Sequence, residues 1–152
     1  MSRDITDTQP VSAVQLRDRI ASGALECETL VSGCLEAIAA SESDVGAWAW
    51  LDGEHALTQA RERDSTRRHG RPLGLLHGLP VGVKDIIDTK GIPTTNGCSL
   101  EAGRVPREDA TLVSRLHSAG AVMLGKTVTT ELAFLHPSAT KNPAAGGHTR
   151  VA

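Results

Sequence analysis

Tyrosine is absent from this chain, and Trp48, Trp50 and Phe134 are the only aromatics among its 152 residues. The core is therefore expected to be aliphatic and alanine-rich, and the stacking platform of a single-strand nucleic-acid binder is missing. Cysteine is scarce as well. Cys27, Cys34 and Cys98 are odd in number and lack a paired spacing, which points to reduced thiols and a cytoplasmic location. The six histidines stand without a cysteine or acid at ligand spacing, so no metal and no other cofactor is expected. No apolar run approaches the roughly 20 residues that span a bilayer. The polar, mildly acidic opening from Met1 to Pro10 does not read as a signal peptide. A net charge of −2 gives no pull toward nucleic acid or an anionic membrane.

What is present is a soluble globular composition, 39% hydrophobic and 22% charged, at a length suited to one domain or part of one. Residues 1–10 read as a flexible lead-in. Ser12 with Gln15 three residues on gives a capping box for a first helix, which Gly23 stops. A second helix is expected from about Glu28 to Ala40, with Cys34 a small core residue, and the short loop between the two favours a helical hairpin. Gly46–Leu51 alternates small and large residues as a short strand, and Asp52 caps a helix over about Gly53–His69. The basic run Arg61–Arg71 is interrupted by Glu62 and Asp64 and suits a solvated helix face better than a nucleic-acid surface. Pro106, Glu108 and Asp109 mark another helix start, with Ala110, Leu112, Val113 and Leu116 inward and Gly120 at its end. Ala121–Leu124 reads as a strand buried on both faces, Thr129–Phe134 as a short helix, and the chain from His136 onward as loop. The alternation of helices and strands predicts an α/β fold, a helical hairpin followed by helices layered on a mixed sheet.

Two stretches carry chemistry. Gly78-Leu79-Pro80-Val81-Gly82-Val83-Lys84-Asp85 reads as a buried strand, which Asp85–Asp88 continues, with glycines that let another backbone approach. A lysine at the mouth of such a strand is a candidate general base, because partial desolvation disfavours its ammonium form. A solvated or ion-paired lysine is the alternative. Gly120-Ala121-Val122-Met123-Leu124-Gly125-Lys126-Thr127 satisfies the phosphate-loop pattern G-x-x-x-x-G-K-[ST], which opens a nucleotide-binding reading. That mechanism needs a strand before the first glycine, whereas here a helix precedes it and the intervening residues are strand-forming. Lys126 and Thr127 are expected to close a strand instead.

The run Pro72–Asp85 resembles the lysine-bearing strand of the amidase signature family. Agreement continues through Asp88, Gly91, Pro93 and Thr94, then Asp109-Ala110-Thr111, Ala119–Thr127, Glu131-Leu132-Ala133 and Thr140-Lys141-Asn142-Pro143. The resemblance implies a partial amidase-signature fold over residues 11–152, acting on a small-molecule amide with neither nucleic acid nor membrane as partner. A homo-oligomer stays open. It also implies hydrolysis by a lysine, a serine held by a cis peptide bond and a nucleophilic serine, and it assigns the lysine role to Lys84. After Gly147-His148-Thr149 the family continues into a serine-rich loop, whereas here Arg150-Val151-Ala152 follow. Ser99, Ser114 and Ser138 do not occupy the two serine positions. The expectation is thus an amidase part that is inactive alone, or a truncated piece that binds a longer relative. The tail Phe134–Pro137 looks closer to general amidases than to the glutamine-hydrolysing component of tRNA-dependent amidotransferases.

Overall fold

The computed structural model describes residues 11–143. The lead-in expected over residues 1–10 and the segment after residue 143, including Gly147–Ala152, lie outside the described residues. Four α-helices and three strands follow in the order α1 (Ala13–Ala21), α2 (Cys27–Val45), β1 (Trp48–Leu51), α3 (Gly53–Arg68), β2 (Pro80–Lys84), α4 (Thr111–Ser118) and β3 (Val122–Thr127). Two single 3₁₀ turns lie at Ser99–Glu101 and Glu131–Ala133.

Local chemistry explains most boundaries. The Ser12 hydroxyl accepts from the Gln15 amide while the Gln15 side chain accepts from the Ser12 amide, which completes the capping box of α1. Asp52 accepts from the His55 amide and starts α3. The α2 helix runs five residues past the expected Ala40, because the stop is Gly46 at φ +60°. Gly46 is therefore a helix cap instead of the first residue of β1. The α4 helix begins only at Thr111, so Glu108 and Asp109 precede it, and Asp109 accepts from the Lys90 amide. The segment after β2 does not prolong the strand: the Ile87 amide returns to the Lys84 carbonyl in a turn. The expected helix over Thr129–Phe134 shrinks to a 3₁₀ turn in which Leu132 has φ +50°.

The sheet has the order β1-β3-β2, with β3 antiparallel to β1 and parallel to β2. One face carries a core of Ile20, Val31, Ala56, Ala60, Leu79 and Val122, supplied by α1, α2, α3 and the sheet. The other buries Val83, Ile92, Val113 and Met123 beneath α4 and the loop after β2. Full burial of an aliphatic side chain of this kind contributes about 2 kcal/mol. The principal helix partner of α2 is α3. The space left by Gly78 and Gly82 is taken by side chains instead of a second backbone. A β-carbon on Gly78 would strike the Cys27 thiol, and one on Gly82 would meet Thr127 and the Trp48 ring.

Both pairings of β3 are irregular. Val81 pairs with Met123 but Gly82 pairs with Gly125, so Leu124 is an extra residue in β3. Trp48 pairs with Thr127 but Trp50 with Lys126, so Ala49 is extra in β1. An extra residue reverses the inside–outside alternation beyond it. That is why Trp48 packs on the α2–α3 core while Trp50, two residues on, packs on the α4 core. Beside the β3 bulge the Gln59 side chain of α3 both accepts from the Met123 amide and donates to its carbonyl, each at 3.1 Å. It supplies the hydrogen bonds a neighbouring strand would have made.

Candidate functional site

Parallel strands β2 and β3 end side by side, with Lys84 paired to Thr127 and Val83 to Lys126. Ligand sites of α/β sheets collect outside the carboxyl ends of such strands. Lys84, the lysine singled out by the sequence, is the last residue of β2 and is exposed. The expected desolvation of its amine is not supplied by the described residues. Its side chain shares a face with Thr127, because residues paired across a ladder point the same way.

The next residue, Asp85, points to the opposite face and is 2% exposed. Its carboxylate accepts from the Thr95 hydroxyl at 2.7 Å and the Thr95 amide at 3.1 Å. Its own amide donates to the Thr127 carbonyl, and its carbonyl accepts from the Asn96 amide. Lys126 has no exposed surface and reaches the Asp85 carboxylate at 3.4 Å while donating to the Thr94 hydroxyl. Burial pushes the Lys126 amine below the usual lysine range, against the pull of Asp85 in the other direction. Asp85, Thr94, Thr95 and Lys126 thus form one buried network. It makes the turn-rich segment Gly91–Ser99 an ordered loop, as its sequence implied.

An open cavity of about 810 Å³ lies beyond the strand ends, lined among others by Ile86, Asp88, Asn96, Arg104, Leu112 and Leu132. Arg104 holds Asp88 through two 2.7 Å bonds, and this keeps the Asp88 carboxyl below its ordinary range. Leu112, read as facing inward, is 50% exposed on this side. Among the described residues no group of three or more histidine, cysteine or acidic side chains is placed to hold a metal ion. No described helix is long and apolar enough to cross a membrane.

The phosphate-loop match does not form a cradle. Val122–Thr127 are strand, their backbone is engaged in the ladder, and Lys126 is turned into the protein. A phosphate site needs free amides in a loop and a lysine that can reach the ligand. The nucleotide-binding reading is therefore corrected. What sequence reasoning missed is the role of Lys126 as a buried partner of Asp85; the bulge that aims it leaves no trace in residue spacing. The basic run of α3 was read as a solvated face. On that exposed face Arg61 pairs with Glu28 of α2 and with Glu54 of α3 itself, and Arg67 pairs with Glu26 at the start of α2.

Comparison with known proteins agrees with this geometry. The sequence pattern of the family described as Amidase matches residues 29–151. A curated relative from Salinispora arenicola, a glutamyl-tRNA(Gln) amidotransferase component, is 44% identical over 130 residues, covering 86% of this chain and 26% of the relative. The solved peptide amidase of Stenotrophomonas maltophilia superposes with a TM-score of 0.74 at 39% identity, covering 83% of this chain and 26% of that one. Fatty acid amide hydrolase gives a TM-score of 0.76 at 26% identity, covering 88% of this chain and 25% of that one. The chain thus spans about a quarter of the length of the proteins it matches. With helices on a small mixed sheet, a lysine closing β2 and a sequence pattern matched from α2 onward, the chain belongs to the amidase signature family.

Proposed function

We propose that residues 11–152 form the lysine-bearing part of a single amide-hydrolysing domain, with Lys84 as its general base. The observation that carries this reading is the placement of Lys84. It ends β2 beside the carboxyl end of parallel β3, with one side open to a substrate or to a further segment. Lys126 is the other lysine of the strand pair, but it is enclosed, and a base must reach the proton it removes. Lys84 would take a proton by way of a cis serine and so activate a second serine for attack on the amide carbonyl. The acyl-enzyme is then released by water as acid, with ammonia or an amine already departed. A neutral Lys84 requires that a covering segment desolvate it. Residues 1–152 alone are expected to turn over no amide.

The test is amide hydrolysis over a panel of aliphatic and aromatic amides, with circular dichroism on the same samples. In a protein joining this chain to a serine-bearing segment, Lys84→Ala should lower turnover at least about a hundredfold with the fold intact. Retained turnover would remove Lys84 from the mechanism.

A second reading, assembly with another chain, is favoured by one observation. Leu100 is 93% exposed, and Phe134 and Leu135 are 70% exposed. Large apolar side chains in that state suit contact with a longer relative or with a second copy.

A further inference from the structure

We propose that the free edge of β2 pairs with the same edge of a second copy of this chain, antiparallel, with Gly82 opposite the partner's Gly82. The two small sheets then run on as one. The contact is made by backbone groups, so it stands apart from the reading of Lys84 as a base and from the exposed Leu100, Phe134 and Leu135.

In the order β1-β3-β2, β3 alone has a strand on both sides among the described residues. The Leu79 carbonyl accepts from the Val122 amide, and the Asp85 amide donates to the Thr127 carbonyl. Successive residues of a strand turn their N–H and C=O groups to opposite sides, so Leu79, Val81, Val83 and Asp85 address β3. The extra residue of this pairing lies in β3 and leaves the alternation of β2 intact. Pro80, Gly82 and Lys84 therefore address the open side, and Gly82 and Lys84 are exposed. Such a row of groups is a template for another strand.

The make-up of that row selects its occupant. Proline has no N–H, and the Lys84 carbonyl already accepts from the Ile87 amide. What remains is the N–H of Gly82 and of Lys84, with the carbonyls of Pro80 and of Gly82. An antiparallel copy centred on Gly82 matches them all. The two Gly82 residues exchange both bonds, and each Lys84 N–H meets the partner's Pro80 carbonyl. The groups left facing each other, the proline nitrogen and the Lys84 carbonyl, are the ones that need no partner. Sliding the copy two residues one way sets the Gly82 carbonyl against a proline nitrogen. Sliding it the other way sets the Gly82 N–H against the engaged Lys84 carbonyl. The edge is thus complementary to itself in one register, as a two-fold contact requires. That register also seats each Lys84 across from proline, which keeps the two like charges apart. On the opposite face Val81 meets the partner's Val83, beside the core that holds Val83. A contact of five residues a side is small, so the dimer should form reversibly with concentration.

The experiment is sedimentation velocity on the 152-residue chain over a concentration series, with amide hydrogen exchange followed by NMR on the same samples. Dimer should accumulate and grow no further, because a two-fold contact closes on itself. The Gly82 and Lys84 amides should gain about tenfold protection in step with it. Pro80→Lys sets a like charge against the partner's Lys84 and should weaken the dimer roughly threefold or more, whereas Pro80→Glu should strengthen it. A chain that stays monomeric overturns the proposal, as does a dimer whose Gly82 and Lys84 amides exchange as fast as in the monomer. So do folded Pro80 variants that shift the equilibrium in the same direction. Protection that arises only on adding a longer relative also overturns it, since the edge then belongs to that partner. If a Pro80 variant does not fold, exchange in the unaltered chain decides. The amidase reading fails separately, through turnover that survives Lys84→Ala.

Discussion

At the scale of single residues, Asp64 shows how much one side chain can organise. It lies on α3 in the middle of the basic run and is 2% exposed. Its two oxygens accept from the Cys27 amide at 2.7 Å and the Glu28 amide at 3.0 Å. Glu26, the N-cap of α2, makes no side-chain cap of its own, so the helix is capped from a neighbouring helix. Burial pushes the Asp64 carboxyl up, but these amide donors outweigh it and hold it below the ordinary carboxylate value. The same surroundings push the Cys27 thiol up to about 12, through burial first and Asp64 second. Cys27 is thus a packing residue and not a nucleophile. Asp64→Ala would orphan both amides and should cost about 2 kcal/mol, read as a lower urea midpoint. In the sequence Asp64 looked like an interruption of positive charge. A cap supplied from 37 residues away leaves no local pattern to read.

At the scale of elements, legibility followed the range of the interaction. Ser12 with Gln15, Asp52 with His55, and Gly120 at φ +88° after α4 act within a few residues, and the sequence declared them. The bulges at Ala49 and Leu124 arise where strands meet, so neither could be seen before the sheet was known. Gly125 carries the consequence, since a β-carbon there would run into the Trp50 carbonyl and the Trp48 ring. The segment that leads into β2 makes a prediction about acid. His77 is 3% exposed and donates from Nε2 to the Arg63 carbonyl in the C-terminal half of α3. Burial pushes its ring below the ordinary histidine range. The unfolded chain therefore binds the proton first. This contribution to stability is complete above the unfolded value of about 6.5 and is lost as pH falls through the lowered folded value. The melting temperature should drop across that window, and His77→Gln should flatten the drop.

At the scale of the whole molecule, the family was legible because its motifs are local runs in fixed order. The surroundings of the proposed base were not, because they depend on parts of the fold far apart in sequence. Lys84 was read as partly desolvated, yet it is exposed, while Lys126 is enclosed. The exposed Leu100, Phe134 and Leu135 belong to this scale too. If they are an assembly surface, co-expression with a full-length amidase relative should give a heteromer on a sizing column. Phe134→Ser with Leu135→Ser should then shift the chain toward free monomer. A wild-type chain that runs only as monomer beside the relative would end the assembly reading.

Lys84 at the end of β2 and Lys126 one residue before the end of β3 also divide the molecule by chemical accessibility. A reagent that acylates amines meets Lys84 on the folded surface, whereas Lys126 has no face to offer until the sheet opens. Modification at the first records how much reagent was present, and modification at the second records how often the strands part. Within one sheet the chain thus carries both a dosimeter and an unfolding clock, neighbours across a single ladder and aimed to opposite sides by one extra residue.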